Sequence, residues 1–273
     1  MPRPPDLDAA ETFIWLNARL IDRRRYLHLF KNGEAEAVLA ALRAHQNADG
    51  GFGHALEPDL RGPLSEPLPV DTALRILDEI DRFDDPMVGQ ACDYLTTITT
   101  PEGGVPFLLP TARDYPLAPY VRAVDNPPAS LLPTASLAGL LHKHRVRHAW
   151  LDRATDYCWR RIERFAAPGA YELRAVLLFL ELVSDRVRAE EAFARIGPQA
   201  IEKNLVALDP EAPGEVHTPL DFAPTPASLA RRLFSDAVMD AHLDALAAAQ
   251  QADGGWLVNW KIWTPATGTE WRA

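Results

Sequence analysis

Cysteine is nearly missing. The 273 residues contain only Cys92 and Cys158, too few for a disulfide framework, so a reducing compartment is the expectation. Positive charge is also scarce, with 28 Lys and Arg against 38 Asp and Glu and a net charge of −10. A nucleic-acid binder needs a basic footprint to displace counterions from phosphates, so this balance argues against nucleic acid as a partner. No uninterrupted apolar run reaches membrane length, and the opening MPRPPDLDAAETF lacks the apolar core of a signal peptide. The expectation is a cytoplasmic protein without an integral membrane segment. Alternating apolar and polar residues at a period of two are missing as well, which argues against a strand-built fold.

What the chain does have is a 47% hydrophobic content, enough to bury a large core as one large domain or two small ones. It also has an internal repeat, which favours a single domain over 1–273. LRAHQNADGGFG (Leu42–Gly53) aligns with LTTITTPEGGVP (Leu95–Pro106) and LAAAQQADGGWL (Leu246–Leu257). Their second glycines, Gly51, Gly104 and Gly255, lie 53 and 151 residues apart, the latter close to three periods of about 50. Two degenerate copies are therefore expected in between, with FAAPGAYEL (Phe165–Leu173) and ALDPEAPGEV (Ala207–Val216) as candidates.

The flanks define the unit. GEAEAVLAALRAHQ (Gly33–Gln46) sets Ala37, Val38, Ala41 and Leu42 at helical spacing, and PVDTALRILDEIDRF (Pro69–Phe83) sets Val70, Ala73, Leu74 and Leu77 on one face. Pro69 falls near the helix start, where its missing N–H costs least. The unit is helix, glycine turn, variable loop, helix. Further pairs are expected at Pro86–Thr97 with Ser130–Lys143, Ala149–Phe165 with Tyr171–Val183, and Ala189–Leu208 with Ala227–Phe234. Another outer-type helix, Asp236–Gln251, leads to the third clear turn, and one long helix over Leu7–Leu29 precedes them all. The glycines are expected to supply the positive φ of helix C-caps. A phosphate-binding loop would place them just before a helix, and here they follow one. The fold class is all-α.

The pattern Gln-x-x-Asp-Gly-Gly-aromatic, present as QNADGGF (Gln46–Phe52) and QQADGGW (Gln250–Trp256), resembles the repeat of terpene cyclases and protein prenyltransferase β subunits. The resemblance implies an α/α toroid, a barrel of about five to six helical hairpins with glycine turns, long loops on one rim and a central apolar cavity. It further implies a substrate that is an isoprenoid or a similar apolar small molecule. The family's catalytic signatures are mostly not found. DLDA (Asp6–Ala9) and DRFDD (Asp81–Asp85) lack the Asp-x-Asp-Asp spacing of class II cyclases, and DDPMV (Asp84–Val88) has only half of a DDxxD metal motif. Asp156, Cys158 and His217 are similar in type to prenyltransferase zinc ligands, but Asp156 and Cys158 fall inside an outer-type helix before a turn. Zinc is therefore not expected and no metal ligand is assigned. Mg²⁺ would enter only with a diphosphate substrate.

If helices alternate outward and inward, the outer-to-inner loops share one rim. These are His54–Leu68, Pro106–Ala129, Asp209–Pro226 and Leu257–Thr269, and loops longer than about 12–15 residues in a compact domain are usually functional or disordered. On or beside them lie the candidate catalytic residues Glu57, Asp59, Asp71, Asp125, His217 and Asp221, because a carboxylate shielded from water suits general acid work. Arg61, Arg113 and Arg122 are the candidate contacts to a diphosphate, and Tyr120, Trp256 and Trp260 the candidate aromatic lining of a cavity mouth.

Three functions follow. One is a terpene-cyclase-like or prenyltransferase-like enzyme with a rim carboxylate as general acid. A carbohydrate-active hydrolase or lyase is the second, since paired carboxylates beside aromatic platforms are what sugar cleavage uses. The third is a noncatalytic helical scaffold that binds a lipid or protein. His142, His144 and His148 in HKHRVRH, interleaved with Lys and Arg, read as a basic exposed helix end rather than a metal site. The final ATGTEWRA begins an inner-type helix, so either this segment caps the ring differently or a last inner helix is incomplete. The oligomeric state is left open.

Overall fold

Helices account for the regular structure of the computed structural model, which describes residues 4–273; only isolated β-bridges accompany them among those residues. The long apolar-periodic stretches become the expected helices. α3 (Ala35–Arg43) is followed by α4 (Pro67–Glu79), α5 (Pro86–Thr97) by α6 (Leu131–Lys143), and α7 (Ala149–Glu163) by α8 (Ala170–Leu182). α7 shows an outer-type pattern, burying Trp150, Leu151, Ala154, Tyr157, Cys158 and Ile162 at steps of three and four. α6 is different in kind: all residues from Pro133 to Leu141 are buried, and its neighbour α4 buries Val70, Ala73, Leu74 and Leu77. A helix enclosed on every side needs apolar or small residues all round, which is why α6 reads as nearly featureless in sequence.

Three expected helices come out differently. The single helix over Leu7–Leu29 is two, α1 (Leu7–Asn17) and α2 (Leu20–Lys31), because Ala18 and Arg19 adopt extended backbone. Arg19 is taken up by other work, described below. The helix over Ala189–Leu208 is α9 (Arg186–Ile196) followed by a single turn, α10 (Gln199–Glu202). Pro198 offers no N–H to continue α9, and Asn204, at φ 51°, ends the segment. Ala227–Phe234 is only a 3₁₀ turn over Leu229–Leu233, preceded by the short α11 (Pro219–Phe222). Pro224 and Pro226 break the stretch between them. The last pair is α12 (Asp236–Ala248) and α13 (Pro265–Arg272), the latter opened by a capping box between Thr264 and Thr267.

The glycine turns carry the positive φ but are not helix caps. α3 ends at Arg43 and is closed by Ala44 in right-handed conformation, whereas the left-handed residue is Gly50 (φ 87°), several positions later. There the Gly50 N–H donates to the Asn47 carbonyl at 3.0 Å and the Asn47 N–H to the Gly51 carbonyl at 2.9 Å. The same two bonds recur at Thr100, Gly103 and Gly104, and again at Gln251, Gly254 and Gly255. Asp49 and Asp253 accept the N–H of the second glycine at 2.9 and 3.1 Å. Gln46 and Gln250 donate to the carbonyl of the first at 3.0 and 2.9 Å. The Gln, Asp and both Gly of the motif thus have hydrogen-bonding or conformational tasks.

A Cβ on Gly50 would overlap the Gln90 carbonyl of α5, and one on Gly254 the Ala9 carbonyl of α1. Each of these two turns is therefore a joint onto another helix. Of the two degenerate copies, Gly169 is extended and Gly214 (φ 88°) approaches nothing, so neither forms such a joint.

The chain divides into two compact units, Arg19–Arg161 in one, and the segment up to Ala18 together with Ile162–Ala273 in the other. Among the described residues, no helix is long and apolar enough to cross a membrane.

Candidate functional site

In the unit spanning Arg19–Arg161, the loop after the first glycine turn is bent by two left-handed residues, His54 (φ 53°) and Ala55 (φ 56°). Such backbone is unfavourable for non-glycine residues and persists only where surroundings enforce it. Arg19 does so. Its guanidinium donates to the Ala55 and Leu56 carbonyls at 2.8 and 3.0 Å and is itself held by Asp22 at 2.8 Å. The next residue is Glu57, whose carboxyl is set against α4 and accepts a hydrogen bond from the Thr72 hydroxyl at 3.2 Å.

Burial pushes the Glu57 carboxyl up to about 7, and the negative charges of Asp59 and Asp71 act in the same direction; the Thr72 bond and Arg19 oppose them only in part. Asp71 lies on α4 and is differently served: Arg75 pairs with it at 2.8 Å, and the buried Ser136 hydroxyl of α6 donates to its other oxygen. The pKa of one carboxyl is thus raised into the neutral range while its neighbour is paired with a cation. Environments that split acids in this way are how proteins assign proton donors.

The two long loops of this unit are joined to each other. Asp59 contributes its carbonyl to the Ala118 N–H at 2.9 Å, and the Arg61 N–H donates to Pro116 at 3.0 Å. Leu60, Leu108 and Ala112 form a small buried core beneath them, with Phe107 and Leu117 packed against it. The loops are ordered because they carry a core of their own.

Within them the Arg61 side chain reaches the Pro58 carbonyl, Arg113 pairs with Asp125 in an exposed ion pair, and Tyr120 and Arg122 are exposed. Of the expected residues here, Glu57, Asp59 and Asp71 are brought together; Arg113 and Asp125 form a separate pair.

Sequence reasoning missed Glu66. It is 4% exposed at the start of α4, accepts the Leu109 N–H at 2.8 Å, and is pushed up to about 7 by burial. It borders a cavity of about 10 Å³, room for one water, shared with Arg61 and Thr111. The available signal was an acid directly before Pro67 at a helix start; its carboxyl serves the neighbouring loop instead of its own helix.

In the other unit, His217 lies edge-on to Tyr171 at 4.4 Å between ring centres, and its Nδ1 faces the Arg174 guanidinium at 3.2 Å. Burial and the Arg174 charge both lower its pKa. Asp221 caps α11, accepting the Thr218 N–H and hydroxyl at 2.7 and 2.8 Å, while its carbonyl holds Arg174. Trp256 donates its indole N–H to the Leu246 carbonyl, and Trp260 packs edge-on to Trp271 at 5.4 Å.

The three closely spaced histidines have three separate partners: His142 with Thr155, His144 with Asp78, and His148 with Asp93. His144 also stacks on Phe83 at 4.0 Å, so this helix end is less exposed than its charges suggest. Cys158 is fully buried, and burial raises its thiol far from the thiolate form. No three His, Cys, Asp or Glu side chains gather as metal ligands among the described residues.

No protein-family model matches the chain, and no curated protein matches it. Solved structures similar to it include two. A type II terpene cyclase, MstE from Scytonema in its apo form, has a TM-score of 0.54 and 13% identity, covering 91% of this chain and 71% of that one. A protein from Actinoplanes has a TM-score of 0.54 and 18% identity, with the same coverage of 91% and 71%. The fold class is accordingly that of the α/α toroid, as in terpene cyclases. At such identities the likeness carries the fold and not the chemistry.

Proposed function

We propose that the protein is a terpene-cyclase-like enzyme that acts on an uncharged isoprenoid or similar apolar molecule, with Glu57 as general acid. The observation that carries this reading is the Glu57 carboxyl itself, desolvated, held by Thr72 and raised to about 7 beside Asp59 and Asp71. A carboxylic acid of that strength is too weak to protonate a plain alkene readily. It is well matched to an oxygen near neutral pH, where proton transfer is most efficient with a donor close to the working pH. An epoxide suits it best: the Glu57 proton passes to the epoxide oxygen, the C–O bond breaks, and a neighbouring alkene supplies the electron pair that closes a ring. Loss of a proton to water then quenches the resulting cation. Asp71, held in place by Arg75 and Ser136, is the second carboxyl beside Glu57.

The test is incubation with terminal epoxides of linear polyprenes, with the parent polyprenes, and with prenyl diphosphates, each with and without Mg²⁺. Cyclised alcohols from the epoxides, lost in Glu57→Gln, are the expected result. Turnover unchanged in Glu57→Gln, or no turnover of any member of the panel, overturns the proposal.

A further inference from the structure

A second site stands in the other unit. Residues 203–218 curl back on themselves after α10 and, with the start of α8, border a half-open pocket of about 540 Å³, within the range of small-molecule pockets. Its walls are pinned. The Ala207 N–H donates to the His217 carbonyl at 2.8 Å and the Leu205 N–H to Ala200 at 2.9 Å. Asn259, from the loop before α13, donates to the Val216 carbonyl at 2.7 Å, and the buried His242 of α12 meets the Leu208 carbonyl at 3.2 Å. A loop fastened at four places is a preformed pocket and not a passing bend.

The lining states what would fit. Ile201, Leu205, Val206, Leu208 and Val216 make an apolar wall, and the charged groups are the carboxylates of Asp209 and Glu215. No Lys or Arg is among the described residues that line it. The cation next to this lining, Arg174, is turned to His217 and to the Asp221 carbonyl, so an anion would meet two carboxylates for that one guanidinium. His217 supplies directional polarity. A guanidinium can only donate, so the Arg174 contact at 3.2 Å makes Nδ1 an acceptor and leaves the proton of the neutral ring on Nε2. That N–H has no partner among the described residues and is the donor left for a ligand.

We propose that this cavity binds an uncharged, mainly apolar molecule carrying one hydrogen-bond-accepting oxygen, such as a long-chain alcohol. The site is independent of Glu57, and it does not rest on the cyclase reading.

The test is isothermal titration calorimetry of the whole protein at pH 7.5 with 1-decanol and with decanoate. Saturable binding of one decanol per chain is expected, with decanoate at least about tenfold weaker. His217→Phe should weaken decanol by roughly tenfold, the worth of one hydrogen bond, and Leu208→Trp, at a half-open wall position, should abolish binding by filling the space. Ala212→Trp does the same from the loop side should Leu208→Trp fail to fold. Glu57→Gln should leave decanol binding unchanged, which separates this site from the proposed catalytic one. No saturable decanol binding, decanoate binding as tightly, or undiminished binding in both His217→Phe and the folded tryptophan variant overturns the proposal.

Discussion

Gln250 grips the main chain of Asp6 on both sides. Its amide oxygen accepts the Asp6 N–H at 2.7 Å and its amide nitrogen donates to the Asp6 carbonyl at 2.8 Å, across 244 positions of sequence. The adjacent Gln251 makes only a local bond to Ala249, so of the two glutamines it is Gln250 that plays the part of Gln46. At about 1 kcal/mol per net hydrogen bond, Gln250→Ala should cost roughly 1–2 kcal/mol. Gln251→Ala should stay within about 0.5 kcal/mol, as surface changes away from special features usually do. Urea denaturation of the two variants measures the difference, and equal effects would contradict it.

Two glycine substitutions should move stability in opposite directions. Gly254 combines a positive φ with a neighbouring carbonyl that a Cβ would overlap, so Gly254→Ala should cost upwards of about 2 kcal/mol. Gly89 lies within α5 with nothing within reach of a Cβ, so Gly89→Ala should stabilise by about 0.5–1 kcal/mol. Thermal melts of both proteins decide it.

Glu57 and Glu66 both carry folded-state values of about 7 against an ordinary 4.5. The folded protein therefore holds protons that the unfolded chain has released between these values. Stability is greatest below about pH 4.5 as far as these two groups are concerned, and falls as pH rises through 7. Glu57→Gln and Glu66→Gln should each flatten that slope in a series of denaturation curves from pH 5 to 8. Catalysis by Glu57 as an acid should decline above about pH 7, whereas Glu66→Gln should leave the pH–rate profile in place. A profile that shifted only with Glu66→Gln would move the proton donor to that residue.

Arg174 lies against His217, and its charge helps burial to lower the imidazole pKa. Arg174→Met should raise that pKa and release the tautomer preference. Nitrogen-15 chemical shifts of the His217 ring report both, and an unchanged titration would show that burial alone sets it.

How much could be read from the sequence divides along physical lines. Helices such as α5 were readable because a buried face imposes a helical period over a dozen residues, and the glycine motif because a left-handed, close-packed joint leaves few alternatives to glycine. Helix interruptions were harder. Nothing in the apolar pattern around Ala18 and Arg19 signals a break, since the break is imposed by Arg19 reaching carbonyls 36 and 37 residues away. In the acid cluster, Glu57 and Asp71 could be picked out as acids near a loop, but not which of them would be paired. That depended on Arg75 and on Ser136, 65 residues from Asp71. Glu66 escaped because its partner is the backbone N–H of Leu109, which carries no side-chain signature. Asp221 is a charge in the sequence and a capping residue of α11 in the fold.

The first glycine of a joint meets backbone, at the carbonyls of Gln90 and Ala9, but the second meets a ring on the same helix, Tyr94 beside Gly51 and Phe13 beside Gly255, as Gly104 meets Tyr157. A contact made with a peptide group is indifferent to what that residue carries, whereas one made with a ring is not. The two glycines of a turn therefore leave Gln90 and Ala9 free to change while tying Tyr94 and Phe13 to the motif.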